Sequence, residues 1–197
     1  MATGSFREQL LSLMERQFPA ELERDFARCA CVAAILKGRG LEDLEIGYIH
    51  RAQMPLNNWS GQIAFPGGKR EENDVSDLAT ALRETHEEIG LQLRETELIG
   101  RLDDLQARRQ GQMLDFFIRP FIFYVERDFE IRLQTEEVAD FFWVPLRELL
   151  DPARQTHFVL DRDGARLKLP AVQIKEGPPL WGLTYMMTQN LLTLLKP

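Results

Sequence analysis

Residues 61–91 read GQIAFPGGKREENDVSDLATALRETHEEIGL, and the division of this stretch into a strand, a turn and a helix decides the fold. Gln62-Ile63-Ala64-Phe65 reads as a short strand, and Pro66-Gly67-Gly68 forces a turn in which two residues carry no Cβ. From Leu78 onward, Leu78, Ala81, Leu82, Thr85 and Ile89 recur every three or four residues. That spacing predicts a helix from about Val75 to Ile89 with one buried stripe, and Gly90 supplies its C-terminal stop. Asp74 is the expected cap of the first turn, with Asp77 three residues on. The opposite face carries Glu84, Glu87 and Glu88 at i, i+3 and i+4, so three carboxylates leave one helix face within a few ångströms of each other.

Such crowding is costly unless positive charge sits among the acids. Two readings account for it: hard divalent cations held by oxygen ligands, or a solvated acidic face relaxed into water. Arg83 precedes the acids and is placed to orient a carboxylate through paired hydrogen bonds. Gly67 and Gly68 bring a bare backbone to where a phosphate and a metal need close approach. A glycine turn beside a carboxylate-rich helix therefore suits a diphosphate bridged by Mg²⁺, which favours one or two carboxylates plus substrate phosphates.

Outward from this centre, Leu10, Leu11, Met14 and Phe18 predict an N-terminal amphipathic helix over residues 6–18, ending before Pro19. Cys29 to Leu36 and Leu44 to Ile49 read as a β-hairpin about Gly38-Arg39-Gly40. Further strands are expected over Glu97–Leu102, Met113–Val125, Phe129–Leu133 and Phe141–Val144, with Pro120 marking a bulge or a sheet edge. Pro145 opens a short helix to Leu150, a hairpin surrounds Asp161–Gly164, and a last helix runs from about Trp181, read as a core residue, to Leu195. The class expected is α/β (α+β) with a mixed sheet, and residues 1–197 are read as one domain.

The two cysteines, Cys29 and Cys31, are expected to point to opposite faces of their strand as buried thiols. A formal net charge of −7 argues against a partner that relies on basic surface, whether nucleic acid or anionic membrane. No apolar run reaches the roughly 20 residues of a membrane span, and no signal-peptide pattern opens the chain, so a cytoplasmic location is expected. The Phe-rich run Phe116, Phe117, Phe121 and Phe123 fits either a homodimer interface or a strand buried on both faces.

The segment resembles the Nudix box, G-x5-E-x7-R-E-U-x-E-E-x-G-U with U aliphatic. Arg83, Glu84, Glu87, Glu88, Gly90 and Leu91 fall on its fixed positions, while Thr85 replaces an aliphatic residue. Asp74 stands where the first acid belongs, with one extra residue before Arg83. Gly61–Gly68, Thr80–Glu84, Glu137-Val138, Phe142–Leu146 and Leu180–Thr184 are similar to the coenzyme A pyrophosphatase branch. In the loop Leu56-Asn57-Asn58-Trp59 the chain departs from that branch, keeping Arg51 but lacking a second arginine.

The resemblance implies an α/β/α sandwich about a mixed sheet, with the box over about residues 67–91. It further implies a Mg²⁺- or Mn²⁺-dependent enzyme that hydrolyses a diphosphate bond in a small nucleotide, most readily coenzyme A or an acyl-CoA. ADP-ribose, a dinucleotide or a sugar nucleotide is the alternative substrate, and a non-catalytic nucleotide-binding module the alternative role. Glu84 and Glu88 are the expected metal ligands, and Glu87 a further ligand or the general base. An acid of the later loop, Glu136 or Glu137, is a second candidate base beside a plain solvated charge. Gly67, Gly68, Arg51, Trp59 and Arg108 are candidate substrate contacts. His86, at a variable position of the box, is read as exposed or packed.

Overall fold

The computed structural model describes residues 5–22, 28–54, 59–109, 112–162 and 165–196. In chain order these form α1 (Phe6–Glu15), β1 (Cys29–Lys37), β2 (Glu45–Arg51), β3 (Ile63–Ala64), β4 (Gly67–Lys69), α2 (Asp77–Ile89), β5 (Leu98–Arg101), β6 (Leu105–Arg109), β7 (Gln112–Tyr124), β8 (Val138–Pro145), α3 (Leu146–Leu150), β9 (Gln155–Arg162), β10 (Ala165–Val172), β11 (Leu180–Trp181) and α4 (Gly182–Leu195). β1 is the centre of the sheet. It pairs in parallel with β7 and antiparallel with β2 and β4, which makes the sheet mixed, as expected.

β1 is buried along nearly its whole length because both of its faces are covered. Val32, Ala34 and Leu36 face a core shared with Leu10 and Met14 of α1 and with Met187, Leu191 and Leu195 of α4. Cys31, Ala33 and Ile35 face a second core closed by Ala81 and Ile89 of α2. The result is helix, sheet, helix in three layers. On the α4 side the Tyr48 hydroxyl and Thr188 Oγ1 share a hydrogen bond at 3.0 Å, which satisfies both buried groups.

Several expectations need correction. α1 stops at Glu15, and Phe18 is 95% exposed. Beyond it the chain is tethered rather than helical: Asp103 accepts the Ala20 N–H at 2.7 Å and Asp104 the Leu22 N–H at 2.9 Å. Cys29 and Cys31 share one face, as residues two apart in a strand must, though both are buried and unbridged as expected. The long strand expected over Met113–Val125 is present as β7, and it is also one arm of a hairpin with β6.

Pro120 lies inside β7, where the neighbouring strand changes. β6 pairs up to Ile118 and β5 takes over at Phe121, so the missing N–H falls at the junction of two partners. Phe129–Leu133 form no strand. The Arg132 and Gln134 N–H groups instead bond the carbonyls of Ile89 and Glu88, closing the end of α2. Trp181 is half-buried and stacks on Phe158 at 4.0 Å rather than joining the core. The four phenylalanines of β7 are all buried within this chain, which supports the reading of a strand covered on both sides. Asp163 and Gly164, the expected turn between β9 and β10, lie outside the described residues. No helix among them is long and apolar enough to cross a membrane.

Candidate functional site

Gly67 and Gly68 belong to a strand and not to a free turn, because β4 pairs with Cys31 and Val32 of β1. Gly67 adopts φ 142°, and a Cβ there would lie 2.3 Å from the Cys31 carbonyl oxygen, so only glycine fits. A Cβ on Gly68 would lie 2.3 Å from Glu84 Oε2. The bare backbone of β4 is thus what leaves room for the carboxylate.

α2 begins at Asp77, not Val75, and its cap is Ser76, whose Oγ accepts the Ala79 N–H at 3.0 Å. Asp74, expected as the cap, works elsewhere. Its two oxygens take Arg83 Nε and Nη2, each at 3.0 Å, while Oδ2 also accepts the Glu71 N–H at 2.8 Å and the Thr80 hydroxyl at 2.9 Å. The Arg83 guanidinium and these donors hold the Asp74 carboxyl well below the usual carboxylate range. Fixed by Asp74 and by the Lys69 carbonyl at 3.1 Å, Arg83 turns Nη1 toward Glu84 at 3.0 Å and Glu87 at 2.8 Å. One guanidinium therefore orients three acids. Sequence reasoning missed Asp74 in this role, although its place at the first acid of the box was the available signal.

Thr85 replaces an aliphatic residue without an orphaned group, since its hydroxyl bonds the Ala81 carbonyl at 2.7 Å inside the core. His86 is exposed, as expected. Gly90 ends the helix at φ 70° with its N–H on the His86 carbonyl.

Glu88 is not on the solvent face that helical spacing suggested; it is only 1% exposed. Its Oε1 meets Arg51 Nη1 at 3.0 Å and its Oε2 accepts the Gly67 N–H at 2.8 Å. Burial pushes its pKa from 4.5 up to about 7, with Arg51 and the Gly67 N–H opposing and the charges of Glu84 and Glu137 adding to the rise. Burial likewise raises the Glu84 carboxyl, against the pull of Arg83. Glu137 is exposed, and its negative charge adds to the rise of both Glu84 and Glu88.

The structure thus gathers Arg51, Gly67, Gly68, Arg83, Glu84, Glu87 and Glu88, with no contact from the Glu137 side chain among the described ones. Trp59 is not among them and packs on Phe116 at 5.6 Å. The Arg108 side chain and the Pro55–Asn58 segment lie outside the described residues.

The glutamate oxygens do not converge as a set. Among the described residues, the group of three potential ligands drawn within 4.8 Å is Cys29, Cys31 and Asp77. That group suits a hard cation poorly. Asp77 is already neutralised by Arg70 at 2.9 Å and Arg119 at 2.5 Å, and two sulfurs complete the set. The glutamates are held apart because Arg83 engages Glu84 and Glu87 while Arg51 engages Glu88. As donors they are all hard oxygens around a cradle that a Cβ would fill, and that chemistry fits Mg²⁺ or Mn²⁺.

A mixed sheet between helix layers, with an Arg-anchored glutamate helix against a glycine strand, is the arrangement of the Nudix family, and the NUDIX domain matches residues 28–163. The chain belongs to that family. It is 37% identical over 123 residues to the Schizosaccharomyces pombe protein called uncharacterized protein C14C4.10c, covering 61% of this chain and 37% of that one. To the Yersinia pestis (strain Pestoides F) protein called uncharacterized Nudix hydrolase NudL it is 30% identical over 136 residues, covering 69% and 65%. The chain thus spans just over a third of the first relative and just under two thirds of the second. The fold is also that of a MutT/nudix family protein from Enterococcus faecalis, with a TM-score of 0.54, 16% identity, and 95% and 67% of the two chains covered.

Proposed function

We propose that the chain, acting as a single domain, is a metal-dependent pyrophosphohydrolase that adds water across a diphosphate bond in a nucleoside diphosphate derivative, and that coenzyme A or an acyl-CoA is the substrate. The observation that carries the chemistry is the placement of Glu84 and Glu88 against a Cβ-free strand, with Arg83 holding Glu84 and Glu87 and Arg51 holding Glu88. Burial and each other's charge disfavour ionised Glu84 and Glu88, and the Arg51 contact leaves Glu88 with a pKa of about 7. A cation between them and a diphosphate would relieve that cost.

Nudix enzymes generally use divalent metal ions; here Glu84 and Glu88, with Glu87, would hold Mg²⁺ or Mn²⁺. Bound there, the ions would neutralise the diphosphate and acidify an attacking water. Arg83, anchored by Asp74, keeps Glu84 and Glu87 aimed at the cradle. Arg51, whose Nη1 lies 3.0 Å from Glu88 Oε1, would be free to bind a substrate phosphate when a metal ion holds that carboxylate. Either Glu87 or Glu137, both solvent-accessible beside the cluster, accepts the proton of the water. Glu87→Gln and Glu137→Gln separate these roles, because loss of the base lowers kcat and abolishes the acidic limb of the pH profile, whereas loss of a ligand alone weakens metal binding and keeps that limb.

The substrate assignment follows the likeness of Gly61–Gly68 and Thr80–Glu84 to the coenzyme A pyrophosphatase branch. Assays with Mg²⁺ or Mn²⁺ against coenzyme A, ADP-ribose, NADH and dinucleoside polyphosphates test it, with Glu88→Gln as the inactive control. Turnover of coenzyme A to adenosine 3′,5′-diphosphate and 4′-phosphopantetheine supports the proposal. Turnover of ADP-ribose alone replaces the substrate, and turnover of none leaves a nucleotide-binding module.

A further inference from the structure

A cleft of about 480 Å³ opens beside the site and is lined by Arg28, Trp59, Lys69, Leu114, Asp115 and Phe116. Its volume falls within the roughly 300–1,000 Å³ of small-molecule sites. The cleft lies on the other face of the sheet from α2. Lys69 pairs with Ala30 of β1, and Ala30, Ala107 and Phe116 form a small core on that face. The carboxylates are nonetheless adjacent: Gly68, the residue before Lys69, abuts Glu84, and the Lys69 carbonyl accepts Arg83. Strand β4 is thus a shared wall, presenting its backbone to the carboxylates and its last side chain to the cleft.

Two kinds of group line the cleft. Phe116 is 8% exposed and anchors Trp59, which leaves 41% of its surface open, the pairing of a fixed floor with an exposed indole that suits a planar ring. Arg28 and Lys69 are exposed cations, and among the described residues that line the cleft the one opposing charge is the Asp115 carboxylate. The lining therefore carries a net charge of +1 (two cations against one anion) in a chain of net charge −7. A neutral nucleoside needs no such charge, whereas an extra phosphate does.

We propose that this cleft holds the nucleoside half of the substrate, the base on Trp59 and a phosphate outside the scissile diphosphate between Arg28 and Lys69. The substrate class is a nucleoside diphosphate derivative phosphorylated on its ribose as well, with Asp115 facing a free ribose hydroxyl or a base amino group. This deepens the reading of the carboxylate site as a hydrolase and rests on it for the identity of the ligand. It accounts for recognition of a ribose phosphate without the second arginine that the Leu56–Trp59 loop lacks.

The test is binding without turnover. In EDTA, quenching of tryptophan fluorescence is titrated with adenosine 3′,5′-diphosphate and with 5′-AMP, using the wild type, Trp59→Phe and the Arg28→Gln/Lys69→Gln double variant. The wild type binds the bisphosphate at least about tenfold more tightly, equivalent to ~1.4 kcal/mol. Trp59→Phe removes most of the quenching, and the double variant brings the two affinities within about twofold. Arg28 and Lys69 are exposed, so circular dichroism of the double variant matches the wild type. Equal affinities in the wild type, or a preference that survives the double substitution, overturns the proposal. Because no metal or catalysis is involved, loss of hydrolase activity against every substrate leaves this result standing, and a failed preference leaves the hydrolase reading standing.

Discussion

Replacing Glu88 with glutamine removes an acid that the fold buries almost completely and whose pKa burial raises, so it makes a metal-free protein more stable as well as inactive. Glu88 titrates at about 7 in the folded chain against an ordinary 4.5. A carboxylate whose folded pKa is raised binds its proton more tightly folded than unfolded. Stability therefore falls as pH rises from about 4.5 to about 7 and stays low above that. At ~1.36 kcal/mol per pKa unit, ionised Glu88 lowers the stability of the folded state by ~3 kcal/mol at pH 8 and by less than ~1 kcal/mol at pH 5. Glutamine resembles the protonated acid and escapes this cost. Urea denaturation in EDTA should accordingly show Glu88→Gln gaining ~3 kcal/mol over the wild type at pH 8 and no more than ~1 kcal/mol at pH 5. A gain that is the same at both pH values, or a loss at pH 8, would refute the reasoning. It would mean that Arg51 and the Gly67 N–H stabilise the ionised acid more than burial destabilises it.

Three other substitutions probe the scaffold. Gly68→Ala places a methyl 2.3 Å from Glu84 Oε2, so kcat/KM should fall about 100-fold while the melting temperature changes little. Gly67→Ala meets backbone at φ 142° and should cost at least ~3 kcal/mol in denaturant titrations, because Cys31 and Val32 of the central strand cannot retreat. Asp104→Ala strips Arg119 of a carboxylate held at 2.6 and 2.9 Å and frees the Leu22 N–H. Chemical denaturation should register a loss of about 3 kcal/mol.

How much of this was legible beforehand follows the range of each signal. The glutamate helix, its glycine stop and the hairpin from Cys29 to Ile49 were visible, because i, i+3, i+4 spacing and turn chemistry act over a few residues. The burial of Glu88 was not. It depends on Arg51, thirty-seven residues away, and on a backbone N–H of β4. Capping is the local use of an acid such as Asp74, whereas its bond to Arg83 requires the loop to fold back over nine residues. Phe129–Leu133 has the alternation of a strand, yet its N–H groups serve the end of α2, a demand set by tertiary structure. The shared face of Cys29 and Cys31, by contrast, follows from the two-residue period of a strand, which local sequence does supply.

The central claim is that the glutamates of α2 are a divalent-cation site and not a solvated acidic face. Titration of Mn²⁺ followed by electron paramagnetic resonance at pH 7.5 tests it most directly, comparing the wild type with Glu84→Gln and Glu88→Gln. The account predicts saturable Mn²⁺ binding in the wild type that weakens at least about tenfold in each variant, with Mg²⁺ competing for the same sites. Unchanged Mn²⁺ affinity in both variants would contradict it.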